Sequence, residues 1–319
     1  MKSTASAPGK VILFGEHFVV YGVKAILCAI DKRITATSQF LDEPKIRIKS
    51  ELGNAEIALD ASSDMNSIST RFMKPFFYIT KETLKEFNEN KGVEIVLKSD
   101  IPAGIGLGSS SAACVAVTAS VAGLFDKKSK EQILKRSIES ERVIFEDVSG
   151  ADSSVSTFGG LVSYDKNGFE KIDFKNNLSL IIANSNQVHS TREIVLKVRE
   201  FKNKNEKMFA EMCKQEEKLI REALLKLKEN NLNELGSLIS ENQELLEKIN
   251  VSTDKLDLLI KEASKTSYGA KITGAGGGGC IISLVDESNA TITLENLKKI
   301  SDCFIAKIDF DGLIYCNTS

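Results

Sequence analysis

Residues 101–117, Ile-Pro-Ala-Gly-Ile-Gly-Leu-Gly-Ser-Ser-Ser-Ala-Ala-Cys-Val-Ala-Val, alternate three glycines with other residues, then give three serines and turn apolar. Glycine lets a ligand approach the backbone closely and permits positive φ. A helix N-terminus offers free N–H groups and a partial positive charge. The run Pro102, Ala103, Gly104, Ile105, Gly106, Leu107, Gly108, Ser109, Ser110, Ser111, Ala112 therefore reads as a phosphate cradle at the start of a helix. The alternative is a tight strand-to-helix turn with a serine cap. The run lacks the Gly-Lys-Ser/Thr of a P-loop and the last spacing of a G-x-G-x-x-G fingerprint.

Other residues of chemical interest lie outside this loop. In a helix over 129–147, Leu134, Ile138, Glu141 and Phe145 share one face. A carboxylate on an apolar face is costly unless it is paired or binds a metal; the alternative is an edge position or an ordinary salt bridge. Asp152 follows Ser149 at the spacing of a capping box. Lys10 opens an apolar run after Pro8-Gly9, where a lysine can also snorkel to the surface. His17 and His189 are the two histidines and the cysteines form no C-x-x-C pair, which argues against a cysteine/histidine zinc site. The glycine run 274–279 lies between apolar segments, where glycine marks either a turn or a close backbone approach.

These residues need elements to carry them. Strands are expected at 10–14, 45–49, 55–59, 93–98, 161–164, 170–174 and 178–185. Asn167-Gly168 is a strong hairpin signal. Helices are expected from Ser110 to about Leu124, over 129–147, over 191–249 with a break at Asn230-Asn231, and over 254–267. Ser190 or Thr191 caps the start of the 191–249 segment. Residues 271–284 read as strand, glycine loop, strand. The fold class is α+β, with a β-rich half over 1–176 and a helix-rich half over 177–319.

Composition limits the function classes. The 319 residues carry 42 basic and 44 acidic side chains, without the basic excess of a nucleic-acid binder. No apolar run is long enough to span a membrane, and no apolar stretch precedes Pro8 as in a secretory signal. The six cysteines are scattered, which suits reduced thiols in a cytoplasmic protein. Monomer and homodimer both fit the sequence.

Three segments occur in a set order: Ala-Pro-Gly-Lys-Val-Ile-Leu-Phe-Gly-Glu-His-Phe-Val-Val-Tyr-Gly at 7–22, the loop at 102–112, and Lys-Ile-Thr-Gly-Ala-Gly-Gly-Gly-Gly-Cys at 271–280. In spelling and order they resemble the GHMP small-molecule kinase family, over nearly the full chain. The resemblance implies two α/β-sandwich-like halves, the second ferredoxin-like, with the site between them. It implies ATP and Mg2+, and phosphorylation of an alcohol; the spelling after Gly-Glu-His favours the 5-hydroxyl of mevalonate. By the same resemblance Asp152 orients or accepts the hydroxyl proton and Lys10 neutralises charge beside it. Ser110 and Glu141 would hold magnesium, and Glu16, His17, Thr191 and Gly277 would line the acceptor site. Residues 67–77 are the expected adenine pocket.

The chain departs from the family pattern at two places. Phe145-Glu146-Asp147-Val148-Ser149-Gly150 stands where His-Gly-Asn-Pro-Ser-Gly is common, and Ser111 stands where alanine is common, as an extra helix cap. Related kinases of phosphomevalonate, homoserine or sugars, and a non-catalytic sensor on the same fold, are the competing readings. The family's decarboxylase branch usually lacks a lysine at the position of Lys10.

Overall fold

The computed structural model describes residues 1–60, 71–145, 148–174, 176–188 and 190–316. The chain starts with β1 (Lys2–Phe14), a 3-10 turn at Phe18–Tyr21, and β2 (Ala25–Leu41). A hairpin of β3 (Lys45–Ser50) and β4 (Gly53–Ala58) follows, then α1 (Lys74–Glu86), β5 (Gly92–Ser99) and α2 (Ser109–Ala122). Next come α3 (Lys130–Glu141), α4 (Ala151–Phe158), and the hairpin β6 (Leu161–Asp165) and β7 (Gly168–Ile172). The later elements are β8 (Ser179–Asn184), α5 (Thr191–Lys204), α6 (Glu206–Glu229), α7 (Leu232–Lys248) and α8 (Asp254–Ala263). The chain ends with β9 (Gly269–Thr273), β10 (Cys280–Val285), α9 (Ala290–Lys298), β11 (Cys303–Lys307) and β12 (Ile314–Cys316).

Two sheets result among the described residues. The first runs β12-β1-β2-β5-β3-β4, with β6 on β2 and β7 on β6. Within it β3 and β5 pair in parallel, Ile48 opposite Ile95. The second runs β11-β8-β10-β9, all antiparallel. β12 belongs to the first sheet: Thr4 faces Cys316 across the β1–β12 ladder. Arg33 reinforces that return by pairing with Asp309, and its Nε donates to Ser6 Oγ at 3.0 Å.

Several expected elements differ from those observed. β2 was not expected, although it is central. Its apolar start, Ala25–Ile30, gives way to Asp31-Lys32-Arg33, which hides a continuous strand from a test based on alternation. The helix expected over 129–147 is α3 and ends at Glu141. Its start is a capping box in which Ser129 accepts from Gln132 and Gln132 returns the bond. The Asn230-Asn231 break is real: Asn230 takes the left-handed C-cap, and Asn231 Oδ1 accepts from Glu234 N at 3.2 Å. Asn205 adds a second break, so the segment holds three helices.

Helix α2 carries the site. Small residues such as Ala112, Ala113, Ala116 and Ala119 let it lie buried against β1 and β2, with α1, α3 and α4 around it. No helix among the described residues is long and apolar enough to cross a membrane.

Candidate active site

The glycine loop takes the backbone shapes that only glycine adopts freely. Gly104, Gly106 and Gly108 have φ of 75°, 85° and 71°. A Cβ at Gly104 or Gly106 would meet nothing within 4 Å, whereas one at Gly108 would lie 2.8 Å from Lys10 Cγ. Gly108 is the N-cap of α2 and makes no side-chain cap bond, so the first N–H groups of the helix have no side-chain cap. Leu107 is buried and its carbonyl accepts from Lys10 N at 2.9 Å, which locks the loop to β1.

Lys10 is buried and reaches across to Asp152. Its Nζ stands 3.4 Å from Asp152 Oδ2 and donates to Gly106 O at 3.3 Å. Asp152 is about two-fifths exposed, at the second position of α4. Ser149 does not form the expected capping box. Gly150, with φ 79°, is the N-cap, and Ser149 Oγ accepts from Ala151 N at 3.2 Å.

Glu141 is held by two hydroxyls. Ser111 donates to its Oε1 at 2.5 Å and Ser153 to its Oε2 at 2.8 Å. Ser111 is therefore a buried anchor for this carboxylate rather than an extra helix cap. Burial is the main force pushing the Glu141 carboxyl up; the two serines oppose it and the nearby Asp152 adds to it. Ser110 is exposed beside this carboxylate and lines the same cavity. Two serine donors leave lone pairs on Glu141, and a hydroxyl with a desolvated carboxylate is a hard-oxygen donor set that suits a divalent cation. Among the described residues no cluster of three or more His, Cys, Asp or Glu forms a metal cage.

Two cavities meet at the loop. One of about 600 Å³ is largely apolar, lined by Ile34, Leu52, Phe72, Phe76 and Leu97, with Pro102, Ala103 and Glu141 also in its wall. The other, about 540 Å³, is lined by Lys10, Glu16, His17, Ile105, Gly106, Gly108, Asp152 and Thr191. Gly104, Ser109 and Ser110 line both. Of the expected adenine segment, Phe72, Pro75 and Phe76 line the apolar cavity; residues 67–70 lie outside the described residues, as do Glu146, Asp147 and His189.

The remaining expected residues divide. Thr191 opens α5, with Ser190 as its cap. Gly277 does not line the cavity: its N–H goes to Val251 O at 2.7 Å, and Thr273, Gly274, Ala275 and Gly279 face the space instead. Ser111 and Ala112 are buried behind the loop and line neither cavity. His17 holds a positive φ of 62° and donates its Nε2–H to Ala275 O at 2.8 Å. Burial, and to a lesser degree the charge of Lys271, depress its proton affinity against the pull of the Ala275 carbonyl.

Sequence reasoning missed a buried polar group behind Glu16: Lys271, Glu216 and Asn242. Lys271 Nζ pairs with Glu16 Oε1. Glu216 accepts from Gly15 N at 2.7 Å and from the Asn242 amide. The signal was present. Phe209, Met212, Glu216, Leu219, Ala223 and Leu227 form the buried stripe of α6, so Glu216 interrupts an apolar face just as Glu141 does.

Two sheets, a glycine loop opening a buried helix where two cavities meet, and a Lys–Asp pair lining one of those cavities suit a small-molecule kinase. The sequence matches the family description "GHMP kinases N terminal domain" at residues 75–160 and "GHMP kinases C terminal" at 220–301. The chain belongs to the GHMP kinase family. It is 34% identical over 327 residues to the mevalonate kinase of Thermococcus sibiricus, covering 98% of each chain. It is 36% identical over 294 residues to that of Pyrococcus horikoshii, covering 88% of each. The crystal structure of Methanococcus jannaschii mevalonate kinase superposes with a TM-score of 0.87 at 32% identity, over 96% of this chain and 98% of that one.

Proposed function

We propose that this protein is a mevalonate kinase, which transfers the γ-phosphoryl group of ATP to the 5-hydroxyl of (R)-mevalonate. The observation that carries the reading is the Lys10–Asp152 pair, 3.4 Å apart, in a cavity bounded on one side by the start of α2 and on the other by Glu16 and His17. The relatives named above support mevalonate as the acceptor.

Phosphoryl transfer is mostly positioning and charge neutralisation. The apolar cavity takes the adenine, and the N–H groups at the start of α2 take the phosphates at the loop that borders both cavities. Mevalonate occupies the second cavity with its 5-hydroxyl at Asp152. Asp152 orients that hydroxyl and accepts its proton as the oxygen attacks the γ-phosphorus. The bond from the γ-phosphorus to the β–γ bridging oxygen breaks, and ADP leaves with the electron pair. The Lys10 ammonium offsets the negative charge gathering on the transferring group. Glu141 and Ser110 would hold Mg2+, whose chemistry there is to neutralise phosphate charge.

The test is ADP release by the purified protein with magnesium-ATP and, in turn, mevalonate, phosphomevalonate, homoserine and galactose. The expected result is release with mevalonate and recovery of the 5-phosphate. Release with a different acceptor alone would overturn the substrate; release with none would overturn the enzymatic reading.

A further inference from the structure

Glu16 and His17 line the acceptor cavity on a segment whose carbonyls are held by the following turn, Phe18 N to Glu16 O at 2.7 Å, Val19 N to Gly15 O at 3.1 Å and Val20 N to His17 O at 3.1 Å. Gly15 has φ 95°, and His17 has φ 62°, a conformation L-residues rarely adopt. The Gly15 N–H and the Glu16 side chain are held from far along the chain. Glu216 Oε1, on α6, accepts from Gly15 N at 2.7 Å. Lys271 Nζ, on β9, donates to Glu16 Oε1 and to Ile272 O, the latter at 2.7 Å. Phe209, also on α6, stacks on Phe18 at 5.6 Å between centroids and meets the edge of Tyr21 at 4.8 Å. Lys271 and Glu216 are 0% exposed and line neither cavity.

Buried charges are costly unless paired, and here the pairing is made to Gly15 and Glu16 of the acceptor segment. We propose that Glu216 and Lys271 are positioning residues of the acceptor site, fixing the Gly15–Glu16–His17 segment from the helical half so that Glu16 and His17 present a set shape to the acceptor. The inference rests on the reading of this cavity as the acceptor site. Glu16 Oε2 is buried and has no partner among the described residues, so Lys271 holds one oxygen of the carboxylate and leaves the other unpaired.

The chemistry of Glu216 supplies a conservative control. Burial and the charge of Glu16 push its carboxyl up to about 7, against the pull of Lys271, the Gly15 N–H and the Asn242 amide. Cys213 lies within its field on the same helix. Asn242 Oδ1 is buried without a partner. Turning that amide lets Oδ1 accept from a proton-bearing Glu216 while Oε1 keeps its bond to Gly15. A glutamine at 216 has the same donor and acceptor pattern as that protonated state.

The experiment compares Glu216→Ala, Glu216→Gln and Lys271→Met in steady-state kinetics, using the acceptor that the wild-type protein phosphorylates, and in amide hydrogen exchange without ligands. Glu216→Ala and Lys271→Met should each raise the acceptor KM about tenfold or more with the ATP KM within about twofold, and Glu216→Gln should restore it to within about threefold. Exchange should speed up at residues 15–21 in Glu216→Ala and not at 104–112, a result that does not depend on which acceptor is used. An unchanged acceptor KM, equal rises in both KM values, or failure of the glutamine variant to restore would overturn the proposal. So would unchanged exchange at 15–21, even if no acceptor of the panel proved to be a substrate. If the alanine variant does not fold, Glu216→Asp draws the carboxylate back from Gly15 N and is judged by the same outcomes.

Discussion

Asp152 and Glu141 are two carboxylates with different surroundings, for which we propose different work. Asp152 is partly exposed and paired with Lys10. Asp152→Asn keeps the shape and removes the proton acceptor, so turnover should fall about 10²- to 10⁴-fold while ATP binding, read by calorimetry, stays within about threefold. Retained turnover would refute its role. Glu141 is buried and tied to Ser111 and Ser153. Glu141→Gln should raise the Mg2+ concentration for half-maximal activity about tenfold, with the acceptor KM little changed; an unshifted Mg2+ titration would remove Glu141 from the cation site. Both carboxylates stood out in the sequence, Asp152 at a capping-box spacing and Glu141 on an apolar face where a salt bridge was the alternative; their roles came from the family resemblance. Ser111 was misjudged because a serine near a helix start fits a cap as well as a buried donor, and only the packing of α2 on α3 decides between them.

At the scale of the element, α2 and the loop before it depend on close approach to β1. Gly108 combines a positive φ with a Cβ position 2.8 Å from the Lys10 side chain. Gly108→Ala should cost about 1–2 kcal/mol from the left-handed backbone alone and also displace the ammonium from Asp152. Gly106→Ala has the same type of φ but open space around it, so it should lose similar stability with a smaller fall in kcat. Denaturant melts and kcat for the two variants separate the effects; equal kcat would show that contact with Lys10 does not matter. The turns at Asn230-Asn231 and Asn167-Gly168 were well read because they act locally, whereas the Ser149–Asp152 capping box did not form. β2 was missed because it is buried at one end and amphipathic at the other, and no single periodicity describes it.

At the scale of the whole molecule, the halves are joined at the site itself. Thr273 Oγ1 accepts from Ile12 N at 2.8 Å and donates to Ile12 O at 3.1 Å, linking β9 to β1. Glu216 adds a pH-dependent contribution. Its folded-state proton affinity is raised from 4.5 to about 7, so ionising it costs stability that is retained below pH 4.5 and lost as pH rises through about 7. Glu216→Gln should match the wild type in stability at pH 4.5 and exceed it by about 3 kcal/mol at pH 8. Chemical denaturation at the two pH values tests this; a constant difference would show that Glu216 does not titrate in that range. The apolar face of α6 marked Glu216 in the sequence, but its partner was not legible, nor was that of Lys271, because Gly15 and Glu16 lie 201 and 255 positions away. The return of β12 to β1 has a further consequence for how the protein is made. The first sheet's edge partner, Ile314–Cys316, is synthesised some 300 residues after the strand it covers. Until the ribosome has released it, β1 presents an open edge that neighbouring nascent chains can pair with. Translation that stops before residue 314 should therefore yield aggregation-prone material, however complete the active site.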